Sequence, residues 1–152
     1  MTLAELIGPD QVILGLRAPS KMALLSELAR RAASATGLDT ARILQALDQR
    51  ERLGSTGLGR GFALPHARIE GCPGFFGLFA RLARAVDFAA IDGAPVDLVL
   101  LLIGPEEASG PYLATLAAIA RPLRDPAFAD TLRRSRDARS VSVLLARGSP
   151  TA

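Results

Sequence analysis

One imidazole, set among glycines, hydroxyls and guanidiniums, defines the chemistry open to this chain. His66 is the only histidine, and it closes the stretch Arg50-Glu51-Arg52-Leu53-Gly54-Ser55-Thr56-Gly57-Leu58-Gly59-Arg60-Gly61-Phe62-Ala63-Leu64-Pro65-His66-Ala67-Arg68. With a reference pKa of about 6.5, a neutral imidazole is a competent phosphoryl acceptor near pH 7. Gly54, Gly57, Gly59 and Gly61 can take backbone angles that turn several N–H groups into one concavity, a nest for phosphate oxygens. Ser55 and Thr56 add hydroxyl donors. Arg50, at the end of the preceding helical segment, can pair bidentately with phosphate. Pro65 fixes φ just before the histidine. Such a loop suits an anion held beside an imidazole, and in-line phosphoryl transfer asks for positioning and charge stabilisation more than for covalent help.

Other glycine motifs fail here. A dinucleotide fingerprint needs glycine at position 62, where Phe62 stands, and the loop follows a helix instead of a strand. A Walker A loop needs a lysine beside its hydroxyl, and the only lysine is Lys21. No Gly-x-Ser-x-Gly elbow occurs. One histidine and one cysteine, Cys72, make no zinc site of the usual ligands, so neither metal nor cofactor is expected. Taken singly, each element has an ordinary reading: the glycines as a turn, Arg52 and Arg68 as a solvated face, the histidine as an exposed loop residue.

The elements that must position this stretch follow from spacing. Val12, Ile13 and Leu14 mark a short strand within 11–16. Ser20 is placed to cap a helix carrying Leu24, Leu25, Leu28, Ala29 and Ala32, which Gly37 ends. Asp39 or Thr40 starts a second helix through Ile43, Leu44 and Leu47 to about Arg52. Beyond the glycines, 75–82 reads as a strand, 86–88 as a second, and 96–103 as a strand buried on both faces. A helix from about Tyr112 to Leu123 follows. Asp125-Pro126 opens another, with Phe128 and Leu132. Asp137 caps a last short one through Val141 and Leu145, and 146–152 reads as a flexible tail. The sum is a single α/β domain over 1–152, a small mixed sheet with helices packed on it.

Composition agrees with one aliphatic core: hydrophobic residues make up 49% and aromatics 5%, with no tryptophan. The net charge of +3 comes from 18 basic and 15 acidic residues. These are interspersed without a basic arm or basic–aromatic stripe, which argues against nucleic-acid binding. The lone Cys72 forms no internal disulfide and suits a reducing compartment. The N-terminus lacks a signal-peptide pattern, and no apolar run approaches the ~20 residues of a membrane span. A cytoplasmic protein without membrane insertion is expected.

The central stretch closely resembles the active-site signature of the fructose/mannitol-type enzyme IIA domains of the bacterial phosphotransferase system, Arg-Glu-x-Leu-Gly-Ser-Thr-Gly-x-Gly-x-Gly-x-Ala-x-Pro-His. Ile91-Asp92-Gly93-Ala94-Pro95-Val96 is similar to the family's strand entry, and Leu102-Ile103-Gly104-Pro105-Glu106 and Leu113-Ala114-Thr115-Leu116-Ala117 to its following loop and helix. The opening, with Ser20-Lys21 and Leu28-Ala29, resembles the nitrogen-regulatory branch. The resemblance implies a sheet flanked by helices on both faces. It implies that His66 accepts a phosphoryl group from an HPr-like phosphocarrier protein (NPr), with Arg50 and Thr56 as catalytic partners and Ser55, Gly57, Gly59 and Gly61 as phosphate-binding groups. It further implies that phosphorylation state controls partners such as potassium transport or stringent-response factors. A sugar-specific enzyme IIA that passes phosphoryl to a IIB cysteine and a non-catalytic binding module are the alternatives. Two positions depart from the pattern. Tyr112 stands where the family often has a second histidine; its phenol can donate a hydrogen bond but has no second nitrogen. Arg60 stands where the branch often has asparagine.

Overall fold

The computed structural model describes residues 3–107 and 109–148. Two short helical turns, α1 (Leu3–Leu6) and a 3-10 turn at Pro9–Gln11, lead into β1 (Val12–Leu16). Then come α2 (Lys21–Thr36) and α3 (Thr40–Arg52). Ser20 caps α2 by accepting from the Ala23 N–H at 3.1 Å, and Gly37 ends it in the left-handed conformation. Asp39 precedes α3 as its cap residue but makes no side-chain cap bond.

The glycine-rich stretch folds as strands: β2 (Gly57–Gly59), β3 (Phe62–Ala63) and β4 (His66–Ile69). His66 is therefore on a strand and not in a loop. β5 (Phe76–Val86) is one long strand where two were expected, because its pairing with β6 (Val96–Pro105) resumes at Val86↔Val96 after a register shift beyond Arg81. The chain closes with α4 (Ser109–Leu123), α5 (Pro126–Arg134) and α6 (Ala138–Gly148). Asp125 caps α5 by accepting from the Ala127 N–H at 3.0 Å, with Pro126 in the first turn. The helix α6 takes in 146–148 of the expected tail; 149–152 lie outside the described residues.

The strands form a single mixed sheet in the order β1-β5-β6-β3-β2, with β4 also paired to β6. β6 is the hub: antiparallel to β5, parallel to β3 at Leu98 and Val99, and parallel to β4 from Leu102 to Pro105. Its residues Leu98 to Ile103 are fully buried. Alternate β6 side chains feed two cores. Val99, Leu101 and Ile103 pack with α2 and α3 on one face. Leu98, Leu100 and Leu102 pack with α1, α4, α5 and α6 on the other. Helices cover both faces, and His66, opposite Leu102, is carried on a strand paired directly to the buried hub. No helix of the described residues is long and apolar enough to cross a membrane.

Candidate functional site

His66 opens β4, half-buried, directly after Pro65. Its Nδ1 lies 2.7 Å from the Leu64 carbonyl oxygen. A carbonyl only accepts, so Nδ1 carries the proton and Nε2 the lone pair. Arg50, in the last turn of α3, donates from Nε to His66 Nε2 at 3.2 Å and from Nη1 to the Gly54 carbonyl at 2.8 Å. Burial pushes the imidazole pKa below its ordinary value; the Leu64 bond works upward, the Arg50 charge downward again, and Glu51 upward. The ring is thus a neutral base with its free nitrogen directed at a guanidinium.

That nitrogen faces a cavity of about 760 Å³ between the end of α3, β4 and the start of α4. Arg50, Arg68 and Tyr112 line it with His66, while the side chains of Leu53 and Leu113 are exposed at its rim. The Tyr112 ring sits 6.3 Å from the imidazole, centroid to centroid, and 6.2 Å from Phe75. Its hydroxyl is buried and has no hydrogen-bond partner among the described residues. Burial raises the phenol pKa, against the pull of Arg68 and Arg50, so it stays a protonated donor.

Beneath the cavity lies a buried polar knot. Glu51 accepts from the Thr56 N–H at 3.0 Å and from the Thr56 hydroxyl. It also pairs with Lys21 Nζ at 2.9 Å. Lys21 donates to the Phe88 carbonyl at 3.1 Å and stands 4.4 Å over the Phe88 ring. The Thr56 carbonyl accepts from the Leu64 N–H at 3.0 Å. A continuous path thus runs from Glu51 through Thr56 and Leu64 to His66 Nδ1.

The structure brings together His66, Arg50 and Tyr112 of the expected site. It places the others elsewhere. Thr56 is spent on Glu51, and Ser55 donates to the Phe88 carbonyl at 3.0 Å while accepting from the Gly57 N–H at 3.1 Å. Gly57, Gly59 and Gly61 belong to the β2–β3 hairpin, and the cavity beside the imidazole is lined by other residues. At its tip Arg60 is left-handed, φ 57°, and its N–H donates to Asp92 at 2.8 Å. Arg133 donates to the Arg60 carbonyl at 2.8 Å and holds Asp97 with two bonds of 2.9 Å. A Cβ on Gly61, itself at φ 81°, would fall 2.5 Å from Arg133 and 2.8 Å from Asp97. The left-handed backbone, with that crowding beside it, accounts for a glycine here. The sequence reading missed the Leu64 carbonyl, the Lys21–Glu51 pair and the place of Arg68. Only the last had a readable signal: on a strand, residues two apart share a face.

A mixed sheet between two helical layers is the fold of the phosphotransferase-system IIA domains of this type. The family model for the phosphoenolpyruvate-dependent sugar phosphotransferase system, EIIA 2, matches residues 5–148, and the chain belongs to that family. Within it the similarity runs to nitrogen regulatory proteins. The chain is 45% identical to that of Bradyrhizobium diazoefficiens over 146 residues, covering 96% of this chain and 95% of the relative. It is 36% identical to that of Pseudomonas aeruginosa, covering 91% of each. The crystal structure of nitrogen regulatory protein IIA-Ntr from Neisseria meningitidis superposes with a TM-score of 0.90 at 33% identity, covering 94% of this chain and 98% of that one. IIA mannitol from Escherichia coli shares the fold, with a TM-score of 0.77 at 19% identity and coverage of 92% and 99%.

Proposed function

We propose that this protein is a regulatory phosphocarrier of the nitrogen-related phosphotransferase system, in which His66 Nε2 takes a phosphoryl group from an HPr-like carrier (NPr). The observation that carries the reading is the 2.7 Å contact between His66 Nδ1 and the Leu64 carbonyl oxygen, from which the tautomer follows. The Leu64 carbonyl holds the proton on Nδ1, and the remaining lone pair points into an open cavity beside a cation. In the transfer, the Nε2 lone pair forms the new N–P bond, the donor's P–N bond breaks, and the electron pair returns to the donor nitrogen. Nδ1 keeps its proton throughout. Arg50 then moves its bond from Nε2 to a phosphoryl oxygen, and the buried Tyr112 hydroxyl donates to a second. Thr56 acts one step back, by fixing Glu51 and Leu64. The glycines and Ser55 shape the hairpin that holds the strand in place.

Phosphohistidine would add roughly −1.5 to −2 charges at the cavity if it behaves like the phosphoesters. Partners that recognise the unmodified face would leave, and regulated targets of the potassium-transport or stringent-response kind fit a cytoplasmic switch of this sort. The sugar-specific alternative would have the same site hand its phosphoryl to a IIB cysteine.

The test is phosphotransfer with purified upstream proteins. Wild type should gain an acid-labile label at His66 and His66→Ala none. Equal labelling of the two would end the reading.

A further inference from the structure

The cavity holds a second guanidinium that the transfer scheme does not use. Arg68 lies two residues past His66 on β4, and strand alternation puts both side chains on one face while Ala67 and Ile69 are buried behind. It lines the same cavity as His66 and Arg50. Its guanidinium stands 6.0 Å over the Tyr112 ring, the same ring that walls in the imidazole. Arg68 Nη1 donates to Ser109 Oγ at 2.6 Å and to the Glu106 carbonyl at 3.3 Å, both neutral acceptors.

Among the described residues neither Arg50 nor Arg68 makes an ion pair, whereas Arg52, on the same rim, is tied to Asp48 and Arg133 to Asp97. The Glu106 side chain also borders the cavity, but its carboxylate pairs with neither guanidinium. Two unneutralised cations and a buried, unpartnered phenol thus converge beside a nucleophilic nitrogen. A pair of guanidiniums left without a carboxylate around one nucleophile suits a dianion that arrives later.

We propose that Arg68 is a second phosphoryl-binding residue, which closes on the group at His66 Nε2 from the α4 side of the cavity while Arg50 holds it from the α3 side. The proposal rests on the phosphocarrier reading. In the free protein, Ser109 and the Glu106 carbonyl hold the guanidinium in waiting. On phosphorylation it exchanges the Ser109 hydroxyl for a phosphoryl oxygen, which frees the start of α4 from β4.

A small chemical donor separates this role from protein docking, because phosphoramidate has no surface to recognise. The Nε2 lone pair forms the N–P bond, the P–N bond of phosphoramidate breaks, and ammonia leaves with its own protons. Initial labelling of His66 is followed by mass spectrometry for wild type, Arg68→Gln, Arg68→Lys and Ser109→Ala, with circular dichroism as the fold check. Arg68→Gln should label about tenfold more slowly, the loss expected for one charge-assisted phosphate contact. Arg68→Lys should fall between, since it keeps the charge and loses the fork. Ser109→Ala should match or exceed wild type, because it frees the guanidinium. Wild-type labelling of Arg68→Gln would overturn the proposal alone. So would a Ser109→Ala loss equal to that of Arg68→Gln, which would make Arg68 a tether for α4. No labelling of wild type beyond His66→Gln would remove the phosphocarrier reading and this proposal with it.

Discussion

The Nε of Arg50 lies 3.2 Å from Nε2 of His66, so a permanent cation donates to the one lone pair that the ring has free. This contact and burial act in the same direction on the imidazole. As the only histidine, His66 gives a single resonance to follow by NMR. Its titration midpoint should lie below the reference value of about 6.5. Arg50→Gln should raise it without restoring 6.5, because burial, the larger cause, remains. The sign for stability follows: the unfolded chain binds the proton more readily, so the contribution of His66 is complete above about 6.5 and is lost as pH falls through the depressed folded value. Phosphoryl acceptance should rise with pH across the same window and level off above it. A midpoint at or above 6.5 would contradict the neutral, desolvated ring.

Lys21→Met removes the cation from a buried carboxylate and leaves Glu51 with the Thr56 donors only. The Lys21 side chain retains 25% exposure, so the cost belongs below that of a fully buried pair, at about 2 kcal/mol. Urea denaturation should show it as a lower midpoint. Combining Lys21→Met with Glu51→Gln should cost less than the sum, since the second change removes the stranded charge. Strict additivity would mean that the two side chains do not interact in solution.

Much of this architecture was legible in the sequence wherever the signal was local. Ser20 and Gly37 bracket α2 by short-range capping chemistry, Asp125-Pro126 starts α5, and the unbroken apolar run of β6 marks a strand covered on both faces. What escaped depends on partners far along the chain. Gly57↔Ala63 and Phe62↔Leu98 pairing makes a hairpin of a stretch that reads as a loop. The extension of β5 to Val86 needs Val96 on the opposite strand. At the site, Arg50 and His66 were readable as a pair, whereas the Leu64 carbonyl that sets the tautomer carries no residue-type signal at all.

Arg81 shows the same long reach. From β5 its Nη1 donates to the carbonyls of Leu132, Arg133 and Ser135 at 2.9, 3.1 and 2.6 Å, and so caps the C-terminal end of α5. A cation there satisfies carbonyls that the helix leaves open and complements its dipole. Arg81→Met should cost about 2 kcal/mol. Hydrogen exchange should locate the loss in α5, with amides of 129–134 exchanging faster and those of α2 unchanged.

Gly104 on β6 offers the most selective handle on the cavity wall. A Cβ there would fall 2.6 and 2.7 Å from the Phe75 ring and 3.1 Å from Tyr112 Cδ1. Those rings pack on each other, and Tyr112 walls in His66. Gly104→Ala must therefore displace them, at a cost of about 1–2 kcal/mol from overpacking. Gly77→Ala is the matched control: its Cβ would meet Leu6 and Ile7 at 2.6 Å, among the buried residues of the α1 core. Both variants should lose similar stability in urea. Only Gly104→Ala should shift the His66 ring resonances and slow labelling of His66 by phosphoramidate, because only it moves the phenol. Equal effects at His66 from both would show that the imidazole reports global packing, and that Tyr112 has no particular hold on the site.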